Sequence, residues 1–262
     1  MDALCKICGH TSNALFSTVV LGKYDVRYYS CEACGFVQTE PPFWLQEAYD
    51  QPINLTDTGL VRRNIYGARS VSTLLFFLFN KNGKFLDYAG GYGLFTRLMR
   101  NIGFDFYSHD PYTDNLLAKG FGYNPNDRIE LVTTFESFEH FEDPIAEIEK
   151  ILAISKSIFF STQLISSPPP AAENWWYYGL EHGQHIAFYT RKTLKVIGEK
   201  YGLHCYSLKG YHLLTTKRIN KWLFILLLGA GRYGLHGLVS LFMKSKVMED
   251  MQYLKVHPLA DN

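Results

Sequence analysis

Residues 85–93 read Phe85-Leu86-Asp87-Tyr88-Ala89-Gly90-Gly91-Tyr92-Gly93. A short apolar run ends in an acid and gives way to a turn made mostly of glycine. Upstream, 84–88 has the composition of a buried strand, and downstream 94–101 has the pattern of a helix. A glycine-rich turn between strand and helix lets main chain approach a ligand more closely than side chains would allow. A second strand is expected over 104–109, ending at Asp110. An acid about 20 residues after such a turn is placed to hydrogen-bond ribose hydroxyls. No G-x-x-x-x-G-K-[ST] is present, so the turn is not a lysine-bearing phosphate loop.

Strands and helices alternate outward from this stretch. A helix is expected over 58–79, its apolar stripe running through Leu60, Ile65, Ala68, Val71, Leu74, Leu75 and Leu78, with Arg62, Arg63, Tyr66 and Arg69 off it. Strands follow at 129–135 and 157–162 with a helix at 146–155 between them. A second helix at 191–201 has Thr190 as a plausible N-cap, and one or two last strands fall in 206–216. The strand due after Asp110 is short or lost in 121–127, which is full of turn residues. The alternation predicts an α/β chain with a mostly parallel sheet and helices on both faces. Ligands bind such sheets beyond the strand carboxyl ends, where Gly90, Asp110, Glu136 and Gln163 fall.

The N-terminus carries different chemistry. Cys5-Lys6-Ile7-Cys8-Gly9 and Cys31-Glu32-Ala33-Cys34-Gly35 are matched C-x-x-C-G units. Each can form a knuckle with two thiolates facing one ion, and the residues between them alternate as strands do. Cys5, Cys8, Cys31 and Cys34 are therefore expected to hold zinc in a ribbon, closed and structural because four thiolates saturate the ion. So small a ribbon takes much of its folding free energy from the metal. Cys205, in apolar surroundings, is expected to be a buried thiol.

The order D-x-A-G-G-x-G, with Asp87 leading, resembles the first signature of the class I S-adenosylmethionine-dependent methyltransferases, D/E-x-G-x-G-x-G, with Ala89 in place of the first glycine. The resemblance implies a Rossmann-like doubly wound fold over about 58–205. It implies that Asp87, Ala89, Gly90, Gly91 and Gly93 wrap the methionine part of the cofactor and that Asp110 holds its ribose. Alanine at 89 costs little at negative φ and crowds the ligand otherwise. Residues 136–144, Glu136-Ser137-Phe138-Glu139-His140-Phe141-Glu142-Asp143-Pro144, resemble the E-x-x-E-H-x-x-D-P stretch after the family's fourth strand. There the strand end, here Phe135 and Glu136, lines the cofactor and substrate pocket. More narrowly, 184–190 is similar to an E-H-x-x-Y-F-S stretch of zinc-binding sugar C-methyltransferases, which also carry a four-cysteine module. That likeness implies a base at His185, with Gln184 standing where those enzymes have glutamate. His140 is the second candidate base.

These readings divide the chain into a zinc ribbon (1–42), a connector and helix (43–80), a Rossmann-like domain (81–216) and a helical apolar tail (217–262). With 26 Lys and Arg against 25 Asp and Glu, no global field recruits nucleic acid. The N-terminus shows no apolar signal core, so a cytoplasmic protein is expected. The aromatic run 174–179 reads either as a lid over the pocket or as a loop anchored by its tryptophans. The apolar run 222–228 is shorter than the roughly 20 residues a bilayer span needs. With its basic flank, 222–243 reads as a helix packed on its own domain, as a self-association contact, or as a membrane-surface element. The expected activity is methylation of a sugar nucleotide or polysaccharide-related acceptor. Alternatives are O-methylation of a small aromatic or lipid acceptor, a binding module with a vestigial cofactor site, and a ribbon that reads nucleic acid.

Overall fold

The computed structural model describes residues 2–49 and 57–257; the far part of the 43–55 connector lies outside them. In chain order the elements are β1 (Ala3–Leu4), β2 (Thr11–Val20), β3 (Tyr24–Ser30), β4 (Val37–Thr39), α1 (Leu45–Ala48), α2 (Leu60–Leu78), β5 (Lys84–Tyr88), α3 (Leu94–Ile102), β6 (Asp105–His109), β7 (Ile129–Phe135), α4 (Pro144–Ile154), β8 (Ser157–Ser161), β9 (Ala187–Phe188), α5 (Arg191–Tyr201), β10 (His204–Leu208), β11 (Tyr211–Thr215), α6 (Lys221–Ala230), α7 (His236–Phe242) and α8 (Val247–Val256). One sheet runs β1-β2-β3-β4-β9, and a second runs β10-β11-β8-β7-β5-β6. The chain divides into two compact units. The ribbon unit holds Met1–Thr56, Phe135–Ala153 and Phe159–Lys217; the loop unit holds Asp57–Thr134, Ile154–Ile158 and Arg218–Asn262.

In the ribbon unit, β2 and β3 form a long hairpin, and β4 pairs antiparallel with β3. The outer edge of β4 is then covered by β9, from far along the chain, with Val37 opposite Phe188. The core beneath includes Tyr28, Trp44, Tyr177, Tyr178 and Phe188. The aromatic run 174–179 is thus anchored: Tyr177 and Tyr178 are buried, Trp175 packs half-buried on the same core, and only Trp176 of the four rings is exposed. Buried phenols make this segment part of the core and not a lid. Helix α5 begins where the sequence places it: Thr190 Oγ1 accepts from Thr193 N at 3.1 Å in a capping box. Cys205 is exposed on β10 and not a buried thiol, because the hairpin turns that side chain outward.

In the loop unit, β5 lies between β6 and β7, and both pairings are parallel. The expected third strand survives as one parallel bridge, Ser108 to Gly122. Helix α2 buries its second half, including Ala68, Val71, Leu74 and Leu75, whereas Ile65 on the expected stripe is exposed. The small residues Ser70 and Thr73 share that buried face because α6 lies directly on it. Thr73 Oγ1 donates to Leu227 O at 2.8 Å, and a Cβ on Gly231 would meet Arg69 O at 2.8 Å. The helical stretch 221–242 is longer than the seven-residue run suggests, but it is broken at Gly234 (φ 137°, ψ −24°). Helix α8 is tied back by Asp250, which accepts from Arg97 (2.7 Å) and from both ends of the Arg100 guanidinium (2.8 and 2.6 Å).

Candidate functional site

The turn after β5 belongs to the loop unit. Asp87 is buried, and its Oδ1 accepts from Thr133 Oγ1 at 2.9 Å. Burial pushes its carboxyl up to about 7; the Thr133 bond opposes this and the charge of Asp110 adds to it. Ala89 stands at φ 56°, in the left-handed region that favours glycine. The alanine is therefore in the costly of its two conformations. The three glycines have separate reasons. A Cβ on Gly90 would meet Asp87 Oδ2 at 2.6 Å, and one on Gly93 (φ 80°) would collide with the Asn115 amide. A Cβ on Gly91 (φ 53°) would meet nothing within 4 Å. Two glycines thus serve internal packing, and the third fronts open space.

Asp110 closes the turn. Its Oδ2 accepts from Gly91 N at 2.9 Å, and its Oδ1 accepts from Tyr112 N and Thr113 N at 2.8 and 3.0 Å. A carboxylate has further lone pairs for ribose hydroxyls. Ser108 Oγ is buried and, among the described residues, without a hydrogen-bond partner; it lies 3.0 Å from where a Gly90 Cβ would sit. An open glycine on the turn and an orphaned hydroxyl on the neighbouring strand β6 fit a ligand-binding cradle. Asp87, Ala89, Gly90, Gly91, Gly93 and Asp110 all fall on this turn or at its edge.

Phe135, Glu136, His140 and His185 belong to the ribbon unit. Glu136 follows β7 at φ 47°, a second non-glycine residue in the left-handed region. It is pinned by Ser161, which accepts from Glu136 N at 3.0 Å and donates to its Oε1 at 2.5 Å. Such strain at a strand end collects at functional positions. His140 and His185 come together with ring centroids 5.0 Å apart. A backbone carbonyl lies against each Nδ1, and the Tyr49 hydroxyl also lies 2.9 Å from that of His140. His185 Nδ1 lies 2.6 Å from Tyr177 O, and His140 Nδ1 lies 3.0 Å from Gln184 O. A carbonyl only accepts, so the His185 Nδ1 carries the proton and its Nε2 keeps the lone pair, whereas the His140 Nδ1 is shared between a carbonyl and a hydroxyl that can donate or accept.

Burial, followed by the charge of His140, holds His185 well below the usual imidazole range, against the Tyr177 bond. Burial likewise lowers His140, with the Gln184 bond and Glu136 opposing. Both rings are neutral at physiological pH and able to accept a proton. Glu139, which sequence reasoning passed over, has a ligating atom within 4.8 Å of those of both histidines. Two imidazoles and a carboxylate also form a donor set for a cation. Glu139 is thus a carboxylate close to both rings, whereas position 184 carries an amide. Gln184 instead donates to Ala48 O at 2.7 Å, holding the loop to α1.

The four cysteines form one cluster, each with Sγ within 4.8 Å of the others. Their knuckles are near copies: Gly9 N donates to Cys5 O (2.9 Å) and Gly35 N to Cys31 O (2.7 Å), with φ of 74° and 75°. Cys5 to Cys34 and Cys8 to Cys31 are each 3.5 Å, far beyond a disulfide and near the edge of about 3.8 Å that a tetrahedral dication with 2.3 Å bonds would set. A hydrogen bond from Cys34 draws the Cys5 thiol down to about 5, and the same contact pushes Cys34 up. Crowded thiols that compete for one proton suit a dication. The second knuckle also anchors α5: Cys34 O accepts from Thr193 Oγ1 at 3.0 Å. Cys5, Cys8, Cys31 and Cys34 thus brace the segment that carries β9 and His185.

A parallel α/β core with a glycine turn and a following acid defines a Rossmann-like enzyme of the cofactor-binding kind. The family profile described as a methyltransferase domain matches residues 62–208, and the chain belongs to that family. It is an S-adenosylmethionine-dependent methyltransferase. No curated protein matches it in sequence. Among solved structures it is similar to magnesium protoporphyrin IX methyltransferase from Synechocystis with SAH bound (14% identity, TM-score 0.43, 65% of this chain and 90% of that one). It is also similar to an O-methyltransferase family protein from Burkholderia thailandensis (18%, 0.45, 65% and 66%) and to human N-acetylserotonin methyltransferase in complex with SAM (13%, 0.45, 67% and 66%).

Proposed function

We propose that the chain methylates a sugar nucleotide or polysaccharide-related acceptor, with His185 as the base and a structural zinc ion in the Cys5, Cys8, Cys31, Cys34 cluster. S-adenosylmethionine supplies an electrophilic methyl group, so the protein's work is alignment and proton removal. The open side of Gly91 and the carboxylate of Asp110 are the features suited to hold the donor. One observation carries the base assignment: the Nδ1 proton of His185 is committed to Tyr177 O, which leaves Nε2 to take the acceptor's proton. Glu139 stands beside it, a carboxylate suited to steady the imidazolium that forms. The carbohydrate acceptor is supported by the joint presence of a four-cysteine module and this histidine segment. A second reading, O-methylation of an aromatic or lipid acceptor, draws on the exposed Trp176.

His185→Ala should lower turnover by about 10²–10⁴-fold while calorimetry shows S-adenosylhomocysteine affinity unchanged. Retained activity would remove the base assignment. Methyl incorporation into nucleotide sugars, but not into phenols or quinones, separates the two acceptor readings. Because His185 is held below the usual range, the acid limb of kcat/KM should lie on the acid side of the ordinary imidazole range.

A further inference from the structure

We infer that the tail of the loop unit, α6 and α7 with the break between them, rests on an anionic membrane surface without crossing it. By length and composition 221–242 qualifies as a bilayer span, with 22 residues that include an 18-residue window of mean hydropathy 1.4. Its geometry opposes crossing. The break at Gly234 leaves no straight helix of the roughly 20 residues a span needs. Leu227 O and Gly231 are locked onto α2, and the Arg232 guanidinium lies over the Tyr66 ring at 4.6 Å. The stretch lies along its own unit.

The outward side is unusual for a soluble surface. Trp222 is 75% exposed, Leu226 63% and Leu241 82%. Isolated exposed apolar side chains need no explanation, but a run of them along one tail marks an interaction site. Phe76 and Phe77 of α2 join Leu238, Val239 and Phe242 of α7 around a notch of about 280 Å³. No polar group lines it, so nothing would orient a small-molecule ligand. An acyl chain end or an apolar anchor requires no such group.

Charge chooses the occupant. The chain as a whole is balanced, yet 218–248 contains Arg218, Lys221, Arg232, Lys244 and Lys246 and no Asp or Glu. Lys246 pairs with Glu249. Arg218, Lys221 and Lys244 are exposed with no acidic partner among the described residues. A second copy docked face to face would bring cation against cation, which disfavours self-association. A bilayer with anionic headgroups satisfies both features: it takes the apolar side chains below the headgroups and the cations among them.

The test uses the full chain, sedimented with vesicles of phosphatidylcholine alone or of phosphatidylcholine with phosphatidylglycerol. The expected result is pelleting with the mixed vesicles, weaker pelleting with phosphatidylcholine, and release as salt is raised. Replacing Arg218, Lys221 and Lys244 by serine should weaken binding to the mixed vesicles on the order of 100-fold, each cation contributing about fivefold. Trp222→Ser with Leu226→Ser and Leu241→Ser should abolish pelleting. Unchanged S-adenosylhomocysteine affinity in both variants would show that they fold. A chain that stays in the supernatant with both vesicle types overturns the inference, as does equal pelleting by the apolar triple variant. A dimer dispersed by the apolar substitutions, with no vesicle binding, would assign the face to a second copy and equally overturn it.

Discussion

The ribbon unit hangs an antiparallel sheet from four cysteines and keeps its buried imidazoles uncharged. The loop unit builds on parallel strands, buries one carboxyl behind a glycine turn, and ties its last helix down with arginines. Both use non-glycine residues in the left-handed region at a strand end, Ala89 in one and Glu136 in the other. They differ in what would take each apart. The first has a four-cysteine cluster suited to an ion from outside the chain, whereas the second relies on internal charge pairing.

Metal removal should give the largest separation. Structural zinc in such modules is worth about 10–16 kcal/mol in apparent terms. A strong chelator should therefore open β2, β3, β4 and β9 to hydrogen exchange while β5 and α3 stay protected and S-adenosylhomocysteine still binds. Uniform loss of protection would erase the distinction. Asp250→Ala should act on the other side. It leaves Arg100, itself buried, without its main carboxylate, at a cost of about 3–5 kcal/mol. The urea midpoint followed through α3 and α8 should fall, and that of the ribbon sheet should not.

Acidity should move the two units in opposite directions. Unfolded Asp87 gives up its proton near 3.8, but the folded carboxyl keeps it to about 7. Its contribution is full below the first value and is lost as pH rises through the second, about 4 kcal/mol in all. His212 in the ribbon unit is lowered by burial from 6.5 to about 4, its contacts with Thr162 O and Arg191 mattering less. The unfolded ring takes a proton that the folded ring refuses, so stability falls by about 3 kcal/mol as pH drops through that window. Asp87→Asn should flatten the loop unit's slope between pH 4 and 7 and leave the ribbon unit's untouched. The smallest effect is Ala89→Gly. Relief of a left-handed alanine, less the added freedom of the unfolded chain, should raise the loop unit's stability by about 0.5–1 kcal/mol, read as a higher thermal midpoint.

Legibility in the sequence followed the range of the interactions. The knuckles, the glycine turn and the Thr190 cap are each written within a few residues, and they stand as expected. The shortened third strand was visible because turn formers crowd 121–127. The union of β4 with β9 was not, since Ala187 and Phe188 are too few to show alternation. Nothing near Arg100 announces Asp250, which joins it from 150 residues away. Which rings of 174–179 face inward was hidden, because only packing separates Trp175, Tyr177 and Tyr178 from the exposed Trp176. Glu139 was overlooked beside His140 because a carboxylate next to a histidine in sequence gives no sign that it will share the ring's surroundings. The tautomer of His185 depends on a carbonyl, and carbonyls leave no trace in residue type.

The pairing of Val37 with Phe188 also has a consequence for synthesis. Chains emerge at about 5–20 residues per second, so the ribbon's edge strand waits for seconds with its hydrogen-bonding groups unmet. During that interval it is a template for any extended neighbour. A nascent chain released before Ala187 would keep that edge permanently bare and should be prone to clumping, even with its cysteines fully metallated.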